Sequence, residues 1–144
     1  MTLHGTYDKD NIFAKMLRGE MPCVKVFEDD VALAFMDIFP QTTGHTLVIP
    51  KDVKARNFLE LKPKKIGPYM ERVQTVAKAV EKALEPDGLR ILQFNGAPAG
   101  QTVYHLHFHI LPIMEGQTGR PHASGEPADT EELKALADKI AAYL

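Results

Sequence analysis

At 144 residues, with 44% hydrophobic and 25% charged content, the chain has the composition of one compact domain, spanning residues 1–144 and able to bury about two-thirds of its unfolded surface. A net charge of −2 supplies no global basic field, which argues against polymeric nucleic acid as a partner, and no run approaches the roughly 18 apolar residues that span a bilayer. The one cysteine, Cys23, excludes an internal disulfide and, between Pro22 and Val24, reads as a buried or edge thiol; residues 1–10 lack a basic segment followed by an apolar core, so the cytoplasm is the expected location.

In chain order, residues 10–18 suit a short amphipathic helix with Ile12, Phe13, Met16 and Leu17 apolar and Asp10 or Asn11 as N-cap. Val24–Glu28 and Val31–Asp37 read as strands around an Asp29-Asp30 turn, and Thr46–Ile49 as a third strand stopped by Pro50. Lys51–Pro63 has no clear period. Gly67-Pro68 then opens a long helix, because proline is tolerated in a first turn; Ile66, Tyr69, Met70, Val73, Val76, Ala77, Val80 and Leu84 recur at helical spacing until Pro86-Asp87-Gly88. This stripe is expected to pack on a sheet. Leu89–Phe94 alternates like a strand and leads into a turn rich in small residues, Asn95 to Tyr104, before an alternating segment, His105 to Leu111. Residues 112–127 are rich in Pro, Gly, Ser and Thr, and a last helix covers 129–144, with Asp129 and Glu132 placed like a capping box and Leu133, Leu136, Ile140 and Leu144 along one side. The order of elements predicts an α+β fold.

His105, His107 and His109 stand at alternate positions, three of the six histidines in the chain. If the segment is a strand, the three share one face and Leu106, Phe108 and Ile110 take the other. Three readings follow: a metal site, a phosphate site and a solvated polar face. Nitrogens bound at about 2.0–2.1 Å to one zinc are some 3–3.5 Å apart. Alternate strand residues are separated by roughly 6.5–7 Å, which makes one shared metal awkward for all three. A phosphate chain fits better, since different oxygens can meet different imidazoles. The preceding Gly96 and Gly100 would let backbone N–H groups approach a ligand, and Gln101 and Thr102 add an amide and a hydroxyl. An ordinary hairpin loop is the alternative for that stretch. Imidazole is a nucleophile that changes charge near neutral pH, so attack on phosphorus with water arriving second is chemically available, and magnesium is not obligatory for it.

The run Gly100-Gln101-Thr102-Val103-Tyr104-His105-Leu106-His107-Phe108-His109-Ile110 resembles the signature of the histidine-triad (HIT) family of nucleotide hydrolases and transferases. Ile12 to Lys15, Arg18 to Pro22, Ala34 to Ile38 and Gly44 to Lys51 resemble the family in its order, so the likeness covers about residues 11–112. The resemblance implies an antiparallel sheet of about five strands, a long central helix, a C-terminal helix beyond the motif-bearing core, and a homodimer using that helix and a strand. It implies a nucleotide hydrolase releasing a nucleoside monophosphate, AMP in the family's phosphoramidase branch, from an amine, acyl or phosphate leaving group. His107 would be the nucleophile, forming a nucleotidyl-histidine intermediate, with a neighbour's backbone carbonyl fixing its tautomer. His105 would support it through main chain and ring orientation and His109 through the phosphate. Thr102 would contact phosphate and leaving group, and His45 would support the triad. Asn95 and Gln101 would be phosphate or ribose contacts, Asp37 would take ribose hydroxyls, and Ile12, Phe13, Met16, Phe35 and Ile38 would surround a purine base.

Two other functions stand beside this one: a nucleotide-binding regulatory protein with little turnover, and a dinucleoside polyphosphate hydrolase. Many bacterial members hold structural zinc through a Cys-x-x-Cys pair and two histidines. Here Asn11 and Ala14 occupy the cysteine positions and Asp52-Val53-Lys54 follows Pro50-Lys51, so neither structural zinc nor any required cofactor is expected. The chain has no tryptophan, unlike phosphoramidase-branch members whose C-terminal Trp-containing residues reach the partner's site. His4 and His122 match nothing and are expected in solvent.

Overall fold

The computed structural model describes residues 3–117, 119 and 125–144. Five antiparallel strands, β1 (Lys25–Glu28), β2 (Ala32–Met36), β3 (Thr46–Pro50), β4 (Gly88–Leu92) and β5 (Phe108–Ile113), form one sheet in the order β1-β2-β3-β5-β4. With them pack α1 (Ile12–Leu17), α2 (Pro63–Leu84) and α3 (Thr130–Ala141). The architecture is α+β, as the order of predicted elements requires. The Asp29 turn forms as expected, its Oδ1 accepting from the N–H groups of Val31 and Ala32 at 2.8 and 2.9 Å.

Every residue of β2 and β3 is buried. Strand alternation splits them cleanly. Ala32, Ala34, Met36, Val48 and Ile110 join Val73, Val76, Val80, Leu133 and Ile140 in the large core beneath α2 and α3. Leu33, Phe35, Leu47 and Ile49 join Phe13 of α1 in a smaller cluster on the opposite face. Leu47 is the partner of His109 in the ladder, so that histidine belongs to the face with the smaller cluster.

Several boundaries differ from expectation. Helix α2 begins at Pro63, which takes the first-turn position assigned to Pro68; Pro68 lies inside the helix and removes one backbone bond, tolerated because Tyr69, Val73, Val76 and Val80 beyond it are buried. Asp129 does cap α3, yet its side chain makes no capping hydrogen bond, and Leu144 is exposed beyond the helix end. Asn11 is the N-cap of α1, accepting from Ala14 N–H at 2.9 Å.

The largest correction concerns the histidine segment. Strand β5 starts only at Phe108, so His109 lies in the strand while His105 and His107 precede it. The ladder to β3 ends at Val48 opposite Phe108. Two residues further, Pro50 has no N–H to extend it, and its carbonyl instead lies 3.1 Å from the His105 ring Nε2. The chain bends through 103–105 and is tied down by Leu106 N–H donating to Ala55 at 2.9 Å. The three rings therefore do not line one strand face.

Candidate active site

The smaller-cluster face is only partly roofed, because α1 has six residues. Beside it opens a pocket lined by Ile12, Phe13, Met16, Phe35, Asp37, Ile38, Thr102, His107 and His109, with Met36, Phe39, Leu47 and Val103 completing the wall. Apolar walls with a few convergent polar groups are the usual form of a small-molecule site. Phe13 and Phe35 are buried in its floor, their rings 5.3 Å apart, whereas Ile12 and Ile38 are exposed at its rim.

His107 and His109 meet here with ring centroids 5.0 Å apart, closer than strand spacing would put them because His107 lies before the strand. Phe13 meets the His107 ring edge-on at 5.0 Å. His107 Nδ1 lies 2.6 Å from the carbonyl oxygen of His105. A carbonyl only accepts, so Nδ1 carries the proton and Nε2 carries the lone pair.

The neighbouring imidazole is held in the opposite sense. Gln41 N–H donates to His45 Nδ1 at 3.1 Å, which places the His45 proton on Nε2. His45 Nε2 lies 2.9 Å from His109 Nδ1, so that atom accepts and the His109 proton is on Nε2. One ring thus offers a basic nitrogen and the other an N–H. His45 is fully buried, consistent with a role in orienting His109.

Asp37 follows β2 at the pocket wall. Its Oδ1 accepts from Phe39 N–H at 2.8 Å and its Oδ2 lies 3.4 Å from His45 Nε2. Burial lifts its carboxyl to about 6, against the downward pull of the Phe39 hydrogen bond.

Among the described residues, Asp37, His45 and His109 have ligand atoms within 4.8 Å of one another and are the group able to approach one metal ion. The 2.9 Å between the two imidazole nitrogens is a hydrogen-bond length, shorter than the roughly 3.3 Å expected for two nitrogens on a tetrahedral metal. As built, the two imidazoles are hydrogen-bonded to each other with the Asp37 carboxyl beside them.

The structure does not bring Asn95 and Gln101 to the pocket. Asn95 Oδ1 accepts from Phe58 N–H at 3.0 Å and its amide pairs with Gln93. Gln101 is buried; its oxygen accepts from Gly96 N–H at 2.8 Å and its NH2 donates to the carbonyls of Arg56 and Val103 at 2.6 and 3.1 Å. The backbone N–H groups of Gly100 and Gln101 donate to Ala97 and Gly96 within the same loop, so the glycine turn closes on itself rather than forming an open cradle. Gly100, at φ 110°, makes that closure possible. Thr102 does reach the pocket.

His105 is placed elsewhere, against Tyr7 and Pro50. His4 is exposed, and His122 lies outside the described residues. Cys23 is half-buried, and burial pushes its thiol up, which disfavours the reactive thiolate. No helix among the described residues is long and apolar enough to cross a membrane. Sequence reasoning missed Leu47, although its alternation with Val48 marks it, and Tyr7, which no local pattern marks.

Residues 18–116 match the family model described as HIT domain. Protein hit of Bacillus subtilis is 45% identical over 138 residues, covering 92% of this chain and 93% of that protein. Adenosine 5'-monophosphoramidase hnt1 of Schizosaccharomyces pombe is 39% identical over 134 residues, covering 92% and 97%. The crystal structure of a Hit-like protein involved in cell-cycle regulation from Bartonella henselae superposes with a TM-score of 0.90 at 50% identity, covering 97% of this chain and all of that one.

Proposed function

The chain belongs to the HIT family, and from that membership and the pocket's geometry we propose that it hydrolyses a purine nucleoside monophosphate, AMP by preference, from an amine, acyl or phosphate leaving group. The observation that carries this reading is the 2.6 Å contact from His107 Nδ1 to the His105 carbonyl, which reserves Nε2 as a nucleophile. The named activity of the Schizosaccharomyces pombe relative supports the phosphoramidate as substrate.

In the first step the Nε2 lone pair of His107 attacks the α-phosphorus, a P–N bond to imidazole forms, and the bond to the leaving group breaks. A departing amine nitrogen takes a proton from solvent, whereas a carboxylate or phosphate leaves as the anion. Water then attacks the same phosphorus, the imidazole leaves with its electron pair, and one proton from water is released. His109, with its proton on Nε2, donates to a nonbridging oxygen as charge moves through the transition state, and Thr102 contacts phosphate and leaving group. Asp37 accepts from ribose hydroxyls. The base lies between Phe13, Phe35, Met16, Ile12 and Ile38. His45 orients His109, and the scheme requires no cofactor. Asn95 and Gln101 act through the loop they hold together.

We also propose a homodimer. Strand β4 is at an edge of the sheet, pairing with β5, and its Ile91 is 49% exposed. Beside it Met70, Val73, Ala77, Leu89 and Phe108 line an apolar groove that runs onto α2. An uncovered edge beside an apolar groove favours pairing with a second copy. Sedimentation should give a dimer at micromolar concentration; a monomer there would contradict it.

Incubation with an AMP phosphoramidate and with diadenosine polyphosphates tests the activity. The expected outcome is AMP release that depends on His107. Equal background rates for wild type and His107→Ala on both substrates would sink it, and tight AMP binding without turnover would favour a regulatory role.

A further inference from the structure

The carbonyl that fixes the His107 tautomer belongs to a residue outside the sheet ladder, so something else must hold it. The His105 ring is gripped at both nitrogens. Its Nε2 lies 3.1 Å from the Pro50 carbonyl, which only accepts, so that nitrogen carries the proton. Its Nδ1 must then accept, and the Tyr7 hydroxyl lies 2.6 Å from it across 98 residues of sequence, the two rings edge-on with centroids 5.8 Å apart. Tyr7 lies before the 18–116 segment matched by the family model.

We propose that Tyr7 is a positioning residue for the nucleophile: its O–H pins the His105 ring, and the pinned residue's carbonyl aims the His107 lone pair at phosphorus. The inference rests on His107 acting as the nucleophile. The connection is short. His105 is one residue with two anchored ring atoms, and its own carbonyl oxygen is the acceptor 2.6 Å from His107 Nδ1. Ring rotation about Cα–Cβ leaves the carbonyl in place, so the ring anchors act by fixing where the His105 Cα sits. The His105 carbonyl and Leu106 N–H share one planar peptide; the bond from Leu106 N–H to Ala55 sets its tilt, and the anchored Cα sets the end from which the carbonyl projects. Burial keeps His105 neutral, pushing it down to about 4, so the Tyr7 contact persists through the working pH range as a hydrogen bond to an unprotonated nitrogen. Asn11, four residues after Tyr7, is the residue that caps α1. The base-pocket helix and the nucleophile's support are therefore tied to the same few N-terminal residues.

The test is Tyr7→Phe, which keeps the ring and removes the donor. Turnover of an AMP phosphoramidate should lose about tenfold in kcat with KM within about twofold, as for a displaced nucleophile with an intact binding pocket. Imidazole nitrogen NMR without substrate supplies a readout independent of activity. Wild type should show His107 as a single Nδ1–H tautomer, and Tyr7→Phe a mixture of both. A variant with the wild-type His107 tautomer overturns the proposal, whatever its kcat or melting temperature. Should Tyr7→Phe fail to fold, the wild-type spectrum decides: an unprotonated His105 Nδ1 with a slowly exchanging Tyr7 hydroxyl supports the proposal, and a protonated Nδ1 overturns it. Failure of the hydrolase reading is separate, appearing as equal substrate turnover in wild type and His107→Ala while the tautomer change remains.

Discussion

The two faces of the central strands have the same backbone and different fates. Under α2 and α3 the face formed by Ala32, Ala34, Val48 and Ile110 is closed and apolar. Gly44 illustrates this: at φ 93° it turns the chain just before His45, where a Cβ would collide with Leu84. The opposite face carries Leu33, Phe35, Leu47 and Ile49, but the six-residue α1 covers only part of it, and the polar groups His109, Asp37 and His107 gather where cover ends. One face supplies stability; the other, incompletely roofed, leaves open the pocket proposed to hold the nucleotide. A strand's two-residue alternation is enough to keep the two tasks apart.

The sharpest way to separate the faces is to remove the proposed nucleophile. His107→Ala should lower AMP release by more than about a thousandfold in steady-state assays, with nucleotide binding by calorimetry largely retained. Ile110→Ala, one residue from His109 but fully buried on the closed face, should do the reverse. It should cost about 2–5 kcal/mol in denaturant unfolding while kcat per folded molecule stays within about twofold. A catalytic loss in Ile110→Ala equal to that of His107→Ala would mean the faces are coupled.

A smaller effect is expected at His45, which touches no ligand in the scheme. His45→Ala should reduce kcat about tenfold, because His109 then loses the partner that orders its proton, with little change in KM.

Asp37 gives the smallest and most pH-dependent effect. Its folded carboxyl at about 6 stands above the ordinary carboxylate value of 3.8, so between those values the native state holds a proton that the unfolded chain has released. Stability from this group is therefore present at low pH and falls as pH rises from about 4 to about 6. Asp37→Asn should flatten that part of the stability curve. In the wild type KM should rise severalfold as pH falls below about 6 and the carboxylate is protonated, and in Asp37→Asn KM should be high and flat.

Much of this was legible from local pattern. Val31–Asp37 and Thr46–Ile49 alternate or run apolar as strands do, and the pocket residues Ile12, Phe13, Met16, Phe35, Asp37, Ile38, Thr102, His107 and His109 do converge. Regular alternation misled at His105 and His107, where Pro50 on the facing strand withholds the N–H that would extend the ladder. Asn95 and Gln101 carry donors suited to phosphate, yet a loop with buried backbone groups uses such amides first, and only the fold reveals those partners. Tyr7 was invisible because its partner lies 98 residues away.

His107 Nε2 is proposed to carry the nucleotidyl group between the two displacements. Rapid mixing with an AMP phosphoramidate, an alkaline quench that preserves phosphorus–imidazole bonds, and peptide mass spectrometry test it directly. The account predicts an adenylyl group on His107 that forms before AMP is released and is absent from His107→Ala. Full turnover with no adduct at any time on that enzyme, or an adduct carried by another residue, would contradict it.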